Sequence, residues 1–171
     1  QNPENSSSSM DLFVYGVPYR ENQYRAFLNL TLIPNDPLLR VDKPGPSDGA
    51  AISFSDNSYR PIPNSAGASE NIIISDINRF GVKARVDDSK AAIKPPDAGI
   101  DEFLSITIEA RDSMVGEETT IYSDYIHTWL PLGVPTGVGA QYTLGGVGNL
   151  TISATGRVDD YRSEDNITYT P

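Results

Sequence analysis

His127 is the only histidine of the chain and lies in an otherwise β-like run that ends at Trp129. An acyl-transfer triad needs such an imidazole beside a serine held in a strained turn. No G-x-S-x-G occurs, and Gly67-Ala68-Ser69-Glu70 does not supply one. A zinc site takes several imidazole or thiolate ligands, and the chain has one His and no Cys. Thiol catalysis and iron–sulfur clusters are excluded with the cysteines. His127 therefore reads as a strand histidine facing solvent or a neighbour, and no catalytic residue, cofactor or metal is expected.

Carboxylates are abundant, 23 Asp plus Glu against 13 Lys plus Arg, and several stand side by side: Asp87-Asp88, Asp101-Glu102, Glu117-Glu118 and Asp159-Asp160. Neighbours along a strand point to opposite faces, so an adjacent pair cannot converge on one scissile bond. In a loop such a pair can help ligate calcium, but no D-x-D-x-D-G loop is present. Solvated charge is the default. The glycines of Gly133–Gly148 lack the following helix and lysine that a phosphate cradle requires, and so they read as turn and bulge residues. Tyr59, Tyr122, Tyr125 and Trp129 are of the type that stacks on sugars or fills a core.

The N-x-[ST] pattern occurs at Asn5, Asn29, Asn149 and Asn166. In three of these, Asn and Thr share one strand face while Leu30, Leu150 or Ile167 takes the other. Two readings stay open: glycans on an outer sheet surface, or ordinary β-patterning with its polar residues outward.

All these groups must be positioned by strands, because helical periodicity is nearly absent. Residues 1–9 are polar and Ser-rich, a flexible lead-in. Met10, Leu12 and Val14 then alternate with Asp11, Phe13 and Tyr15, which predicts a strand over Met10–Val17. Ala26–Ile33, Leu38–Asp42, Ala50–Ser55, Asn71–Ser75, Phe80–Val86, Phe103–Ala110, Thr119–Leu130, Ala140–Leu144, Asn149–Thr155 and Asn166–Thr170 follow. Asp88-Ser89 could cap a single helical turn before Pro95-Pro96. The longest connection, Ser55–Glu70, is a candidate binding loop. The expectation is an all-β, antiparallel β-sandwich of Ig-like or jelly-roll type, with about 9–11 short strands and at most one short helix. Residues 1–17 would form a flexible segment bearing a strand, and 18–171 a single sandwich domain.

At 171 residues and 18.6 kDa the chain is long enough for one domain with a real core. A net charge of −10 argues against a nucleic-acid partner and against an anionic membrane surface. No apolar run approaches the roughly 20 residues of a membrane span. A chain that starts at Gln1 reads as processed, with a signal peptide removed and an extracellular or cell-surface location.

Leu28–Ser55, with Asp36-Pro37-Leu38-Leu39 after an alternating strand, resembles the start of fimbrial major subunits of the colonisation-factor type. That resemblance implies a filament or pilus subunit in which Met10–Val17 is a donor strand, carrying Met10, Leu12, Phe13, Val14, Tyr15 and Val17 to the next copy. The mechanism would be strand addition to a sheet edge, and a head-to-tail contact that does not close grows into a fibre. The partner is then a second copy of the chain, with glycans on the surface. Tyr142–Val158 is similar to the G-G-x-G…A-x-G segment of dirigent and allene-oxide-cyclase barrels, which implies instead an eight-stranded barrel around an apolar cavity. A viral capsid, tail or decoration protein and a carbohydrate-binding or adhesin module are further alternatives for an acidic β-rich domain.

Overall fold

The structure, a computed structural model, describes residues 9–32, 43–44, 46–87, 100–130 and 137–171. The sequon at Asn5, the strand expected over Leu38–Asp42, the Asp36-Pro37-Leu38-Leu39 piece and the cap at Asp88-Ser89 lie outside those residues.

Thirteen strands are described, and they form two main antiparallel sheets and a separate hairpin. The first sheet holds β1 (Ser9–Gly16), β2 (Gln23–Leu32), β9 (Ile100–Ala110) and, on the far edge of β9, the short pieces β5 (Tyr59–Pro61) and β6 (Gly67–Ala68). The second runs β13 (Asp159–Tyr169), β10 (Thr119–Leu130), β4 (Asp48–Phe54), β8 (Gly81–Val86) and β7 (Ile72–Asn78), with β3 (Lys43–Pro44) also on β10. The hairpin is β11 (Ala140–Leu144) with β12 (Leu150–Ala154). Asp112–Met114 is the one 3-10 turn among the described residues.

Period-two patterning explains the layers. Leu28, Leu30, Leu104, Ile106 and Ile108 project from the first sheet and meet Ile52, Phe54, Val82, Val86 and Ile121 of the second, all fully or nearly fully buried. Their opposite neighbours face outward, as alternation requires. Strand β4 departs from this, because it is buried along its whole length. Its inner face meets the main core, and its outer face is covered by the hairpin, where Ala51 and Ile126 pack with Ala140, Tyr142, Leu144 and Leu150. A strand covered on both faces loses its polar alternation, and Asp48-Gly49-Ala50-Ala51-Ile52-Ser53-Phe54 reads that way. Gly49 sits under the Tyr142 ring so closely that a Cβ there would stand 2.4 Å from its Cδ1. Small residues at Gly49 and Ala51 thus let the third layer approach.

Three expectations are corrected. The barrel implied by Tyr142–Val158 is absent: that segment builds a two-stranded hairpin laid on an open sandwich. The Ser55–Glu70 connection is not a free loop, since it supplies β5 and β6 to the edge of β9. Finally, Met10–Val17 does not stand apart from the body of the domain. Ser9–Gly16 pairs along its whole length with β2 of the same chain, from Ser9↔Thr31 to Gly16↔Tyr24. Its apolar side, Met10, Leu12 and Val14, packs on the main core. A short hairpin lets the strand reach its own groove, which is why it folds back.

Candidate functional site at the first strand

Among the described residues, strand β1 is an outer strand of the first sheet, with β2 on one side only. Leu12 is buried and Met10 and Val14 half-buried on its inner side, while Phe13 and Tyr15 point outward. Val17, expected within the strand, lies just past it, and its N–H donates to Gln23 O at 2.9 Å. Val17–Asn22 turns the chain. Arg20 N–H donates to Val17 O at 3.2 Å, and two non-glycine residues adopt left-handed backbone: Tyr19 at φ 62° and Asn22 at φ 59°. Asparagine tolerates that region, but for an aromatic residue it is an outlier that costs energy. The Tyr19 side chain is fully exposed, so no packing on the described surface offsets the cost.

The outer face of the first sheet carries a row of rings. Phe13 stacks on Phe27 directly across the ladder with centroids 5.0 Å apart, and Phe27 stacks on Phe103 at 5.1 Å. Tyr15 extends the row, 6.4 Å from Phe13. Phe13 and Tyr15 remain 43% and 46% exposed. Beside the row, Arg25 ties β2 to β9 through Ser105 Oγ and Thr107 Oγ1, both at 2.8 Å, and to Ser65 O at 2.6 Å. Of the four aromatic residues singled out for sugar stacking, Tyr59 and Tyr125 are buried in the core and Tyr122 and Trp129 are half-buried. The exposed rings among the described residues are Phe13 and Tyr15 on the sheet and Tyr19 in the turn after β1.

Among the sequons, Asn149 and Asn166 are exposed and Asn29 is half-buried on the same outward face as Phe27. Leu30 and Leu150 are buried beneath them. The carboxylate pairs separate as strand geometry demands. Asp101 accepts from Thr31 Oγ1 at 2.9 Å on the surface, whereas Glu102 is buried and accepts from Ser69 and Asn71.

His127 faces inward rather than to solvent, with its side chain 12% exposed. Its Nδ1 lies 3.1 Å from Oδ2 of Asp48, a fully buried carboxylate that also accepts from Tyr125 Oη and, at 2.9 Å, from the Thr128 N–H. Sequence reasoning missed Asp48, because nothing near Ser47-Asp48-Gly49 signals that this turn-like triplet opens a buried strand. An aspartate-oriented imidazole is half of an acid–base device, but this one is enclosed between the sheets and stacked on Trp129 at 5.7 Å. It works as a polar clasp joining β4 to β10. Among the described residues, no group of three or more His, Asp or Glu could hold a metal ion, and no helix is long and apolar enough to cross a membrane.

A third buried carboxylate, Asp124, faces the hairpin. Burial holds it above the usual carboxylate range, opposed by the Arg162 guanidinium 3.7 Å away and by the Leu150 N–H. A group that binds its proton more tightly when folded contributes most below its unfolded value, near 4, and loses that contribution as pH rises through its folded value. Asp124→Asn is therefore expected to flatten the fall in stability across that mildly acidic window. Urea midpoints measured at intervals from pH 3 to pH 7 test this, and an unchanged slope contradicts it.

Two sheets, an attached hairpin and β1 at one edge define an antiparallel β-sandwich module. No family model matches the sequence, and no curated protein matches it significantly. Several solved structures are similar to it. The collagen-binding domain of Erysipelothrix rhusiopathiae surface protein RspB aligns at 12% identity and TM-score 0.47, over 93% of this chain and 48% of that one. Domains D2 and D3 of the major pilin SpaD from Corynebacterium diphtheriae align at 8% and 0.43, over 92% and 51%. The sixth cohesin of Acetivibrio cellulolyticus scaffoldin B, solved with a dockerin, aligns at 13% and 0.41, over 69% and 86%. The likeness is one of architecture alone, and the chain spans about half the length of the first two.

Proposed function

We propose that this chain is a structural subunit of an extracellular filament, and that copies join head to tail by exchanging β1. The observation that carries the reading is the hinge: an edge strand joined to the body through a tight turn with left-handed backbone at Tyr19 and Asn22. A neighbour's groove is identical to the strand's own, so an exchanged β1 remakes every contact it leaves. What changes is the turn. Opened into an extended linker, it releases strain of roughly 1–3 kcal/mol at Tyr19, against the entropy of association. Short strained hinges favour exchange for this reason. Giving β1 forward while receiving another from behind does not close on itself, so the product is a fibre.

The test compares the full chain, a chain lacking residues 1–17, and Tyr19→Gly. Electron microscopy of the full chain should show filaments, and the truncated chain should give none. A synthetic Ser9–Val17 peptide should bind the truncated chain and raise its unfolding temperature. Tyr19→Gly relaxes the closed turn and should shift the balance toward monomer by about 5–150-fold, the equivalent of 1–3 kcal/mol. Normal filaments from the truncated chain would falsify strand exchange.

A further inference from the structure

We propose that Asn29 carries an N-linked glycan whose first sugars lie on the aromatic row of Phe27, Phe13 and Phe103. The inference starts from an anomaly: stacked rings line the outward face of the first sheet, and among the described residues Phe13 and Tyr15 stay nearly half exposed. The same face holds Asn29-Leu30-Thr31. Residues two apart on a strand project from one face, so Phe27, Asn29 and Thr31 stand in line along β2. Phe103 sits directly opposite Asn29 on β9. A sugar joined to Asn29 is thus flanked by an aromatic ring along its own strand and another across the ladder. The C–H faces of an N-acetylhexosamine are the apolar surface that stacks on such rings, while its hydroxyls stay in water. Asn166 also has a ring directly across its ladder, Tyr122, but Glu164 stands two residues before it and Val147 two before Asn149, so neither has an aromatic residue along its own strand as well.

The chemistry is a redox-neutral transfer from a polyprenyl-pyrophosphate-linked oligosaccharide at the membrane where the chain is exported. The Asn29 side-chain nitrogen bonds to the sugar C1 as the C1–oxygen bond to the pyrophosphate breaks. The lipid pyrophosphate leaves, and one amide proton passes to a base of the transferring enzyme. In the folded chain Thr31 Oγ1 is held by Asp101 at 2.9 Å and Asn29 is half-buried. Transfer therefore precedes folding, while β2 is still an extended, unpaired segment.

The experiment uses protein purified from its native source, together with Thr31→Ala and Thr31→Ser variants made in that source. Peptide mass spectrometry should find the Asn29 peptide of the wild type and of Thr31→Ser heavier by one oligosaccharide, and that of Thr31→Ala bare. A dye that fluoresces on exposed aromatic surface should bind Thr31→Ala several-fold more than the other two. A bare Asn29 in the wild type overturns the proposal outright. A modified Asn29 with equal dye binding in all three proteins overturns the stacked arrangement.

Discussion

Asp48→Ala should destabilise the domain by about 3–5 kcal/mol, the range expected when one partner of a buried charged network is removed. The carboxylate is fully buried and accepts from Tyr125 Oη, His127 Nδ1 and the Thr128 N–H. Alanine leaves those donors facing a void inside the sandwich. Against a total stability of roughly 5–15 kcal/mol for an ordinary domain, the variant should populate unfolded chain at modest denaturant. Asp48→Asn keeps one acceptor oxygen and turns an N–H₂ toward a donor, so it should fall between the wild type and alanine. Equilibrium unfolding by tryptophan fluorescence is a direct readout, since Trp129 stacks on His127. A loss below about 1 kcal/mol, the net value of an ordinary hydrogen bond, would mean that the clasp does not join β4 to β10.

Gly81→Ala should be comparably damaging, for a steric reason. Gly81 has φ +142°, and a Cβ there would lie 1.9 Å from the Ile52 carbonyl oxygen and 2.9 Å from Ser53 Cα. Both are backbone atoms of β4, fixed by pairing with β8 and β10. Neither can yield without parting the second sheet. Backbone strain of roughly 1–3 kcal/mol and overpacking of similar size act together here. Gly116→Ala separates the two effects, because Gly116 also has positive φ, +84°, but nothing lies within 4 Å of its Cβ position. The expected order of unfolding midpoints is wild type, then Gly116→Ala, then Gly81→Ala well below both. Equal midpoints for the two variants would show that the close approach to β4 costs nothing.

The sandwich was legible where alternation is clean. Ala140–Leu144 coincides with β11, since Ala140, Tyr142 and Leu144 form one side, and Thr119–Leu130 coincides with β10, since β-branched and aromatic residues are dense along it. The start of β13 was not legible, because Asp159-Asp160-Tyr161-Arg162-Ser163-Glu164-Asp165 has no apolar side to betray it. That stretch is held by backbone pairing to β10, from Trp129↔Asp159 onward. Strands β5 and β6 were hidden for another reason. They are only three and two residues long, too short for a period to show, and they exist because β9 offers them an edge. At the candidate site, the alternation of Met10, Leu12 and Val14 identified the strand but not its partner. Whether an apolar strand face fills its own groove or a neighbour's depends on the connection, and the left-handed backbone at Tyr19 carries no signal in residue type.

The antiparallel register of β1 on β2 also bears on mechanics. In a fibre made by exchange, tension pulls the Gly16 end of β1 along the strand axis, parallel to the neighbour's β2. The eight residue pairs from Ser9↔Thr31 to Gly16↔Tyr24 are then sheared together, and no single pair can give way before the rest. Peeling the same strand sideways from one end would break them in sequence at far lower force. Such a filament would resist stretching along its length while each junction stayed vulnerable to a partner that lifts β1 sideways from its Ser9 end.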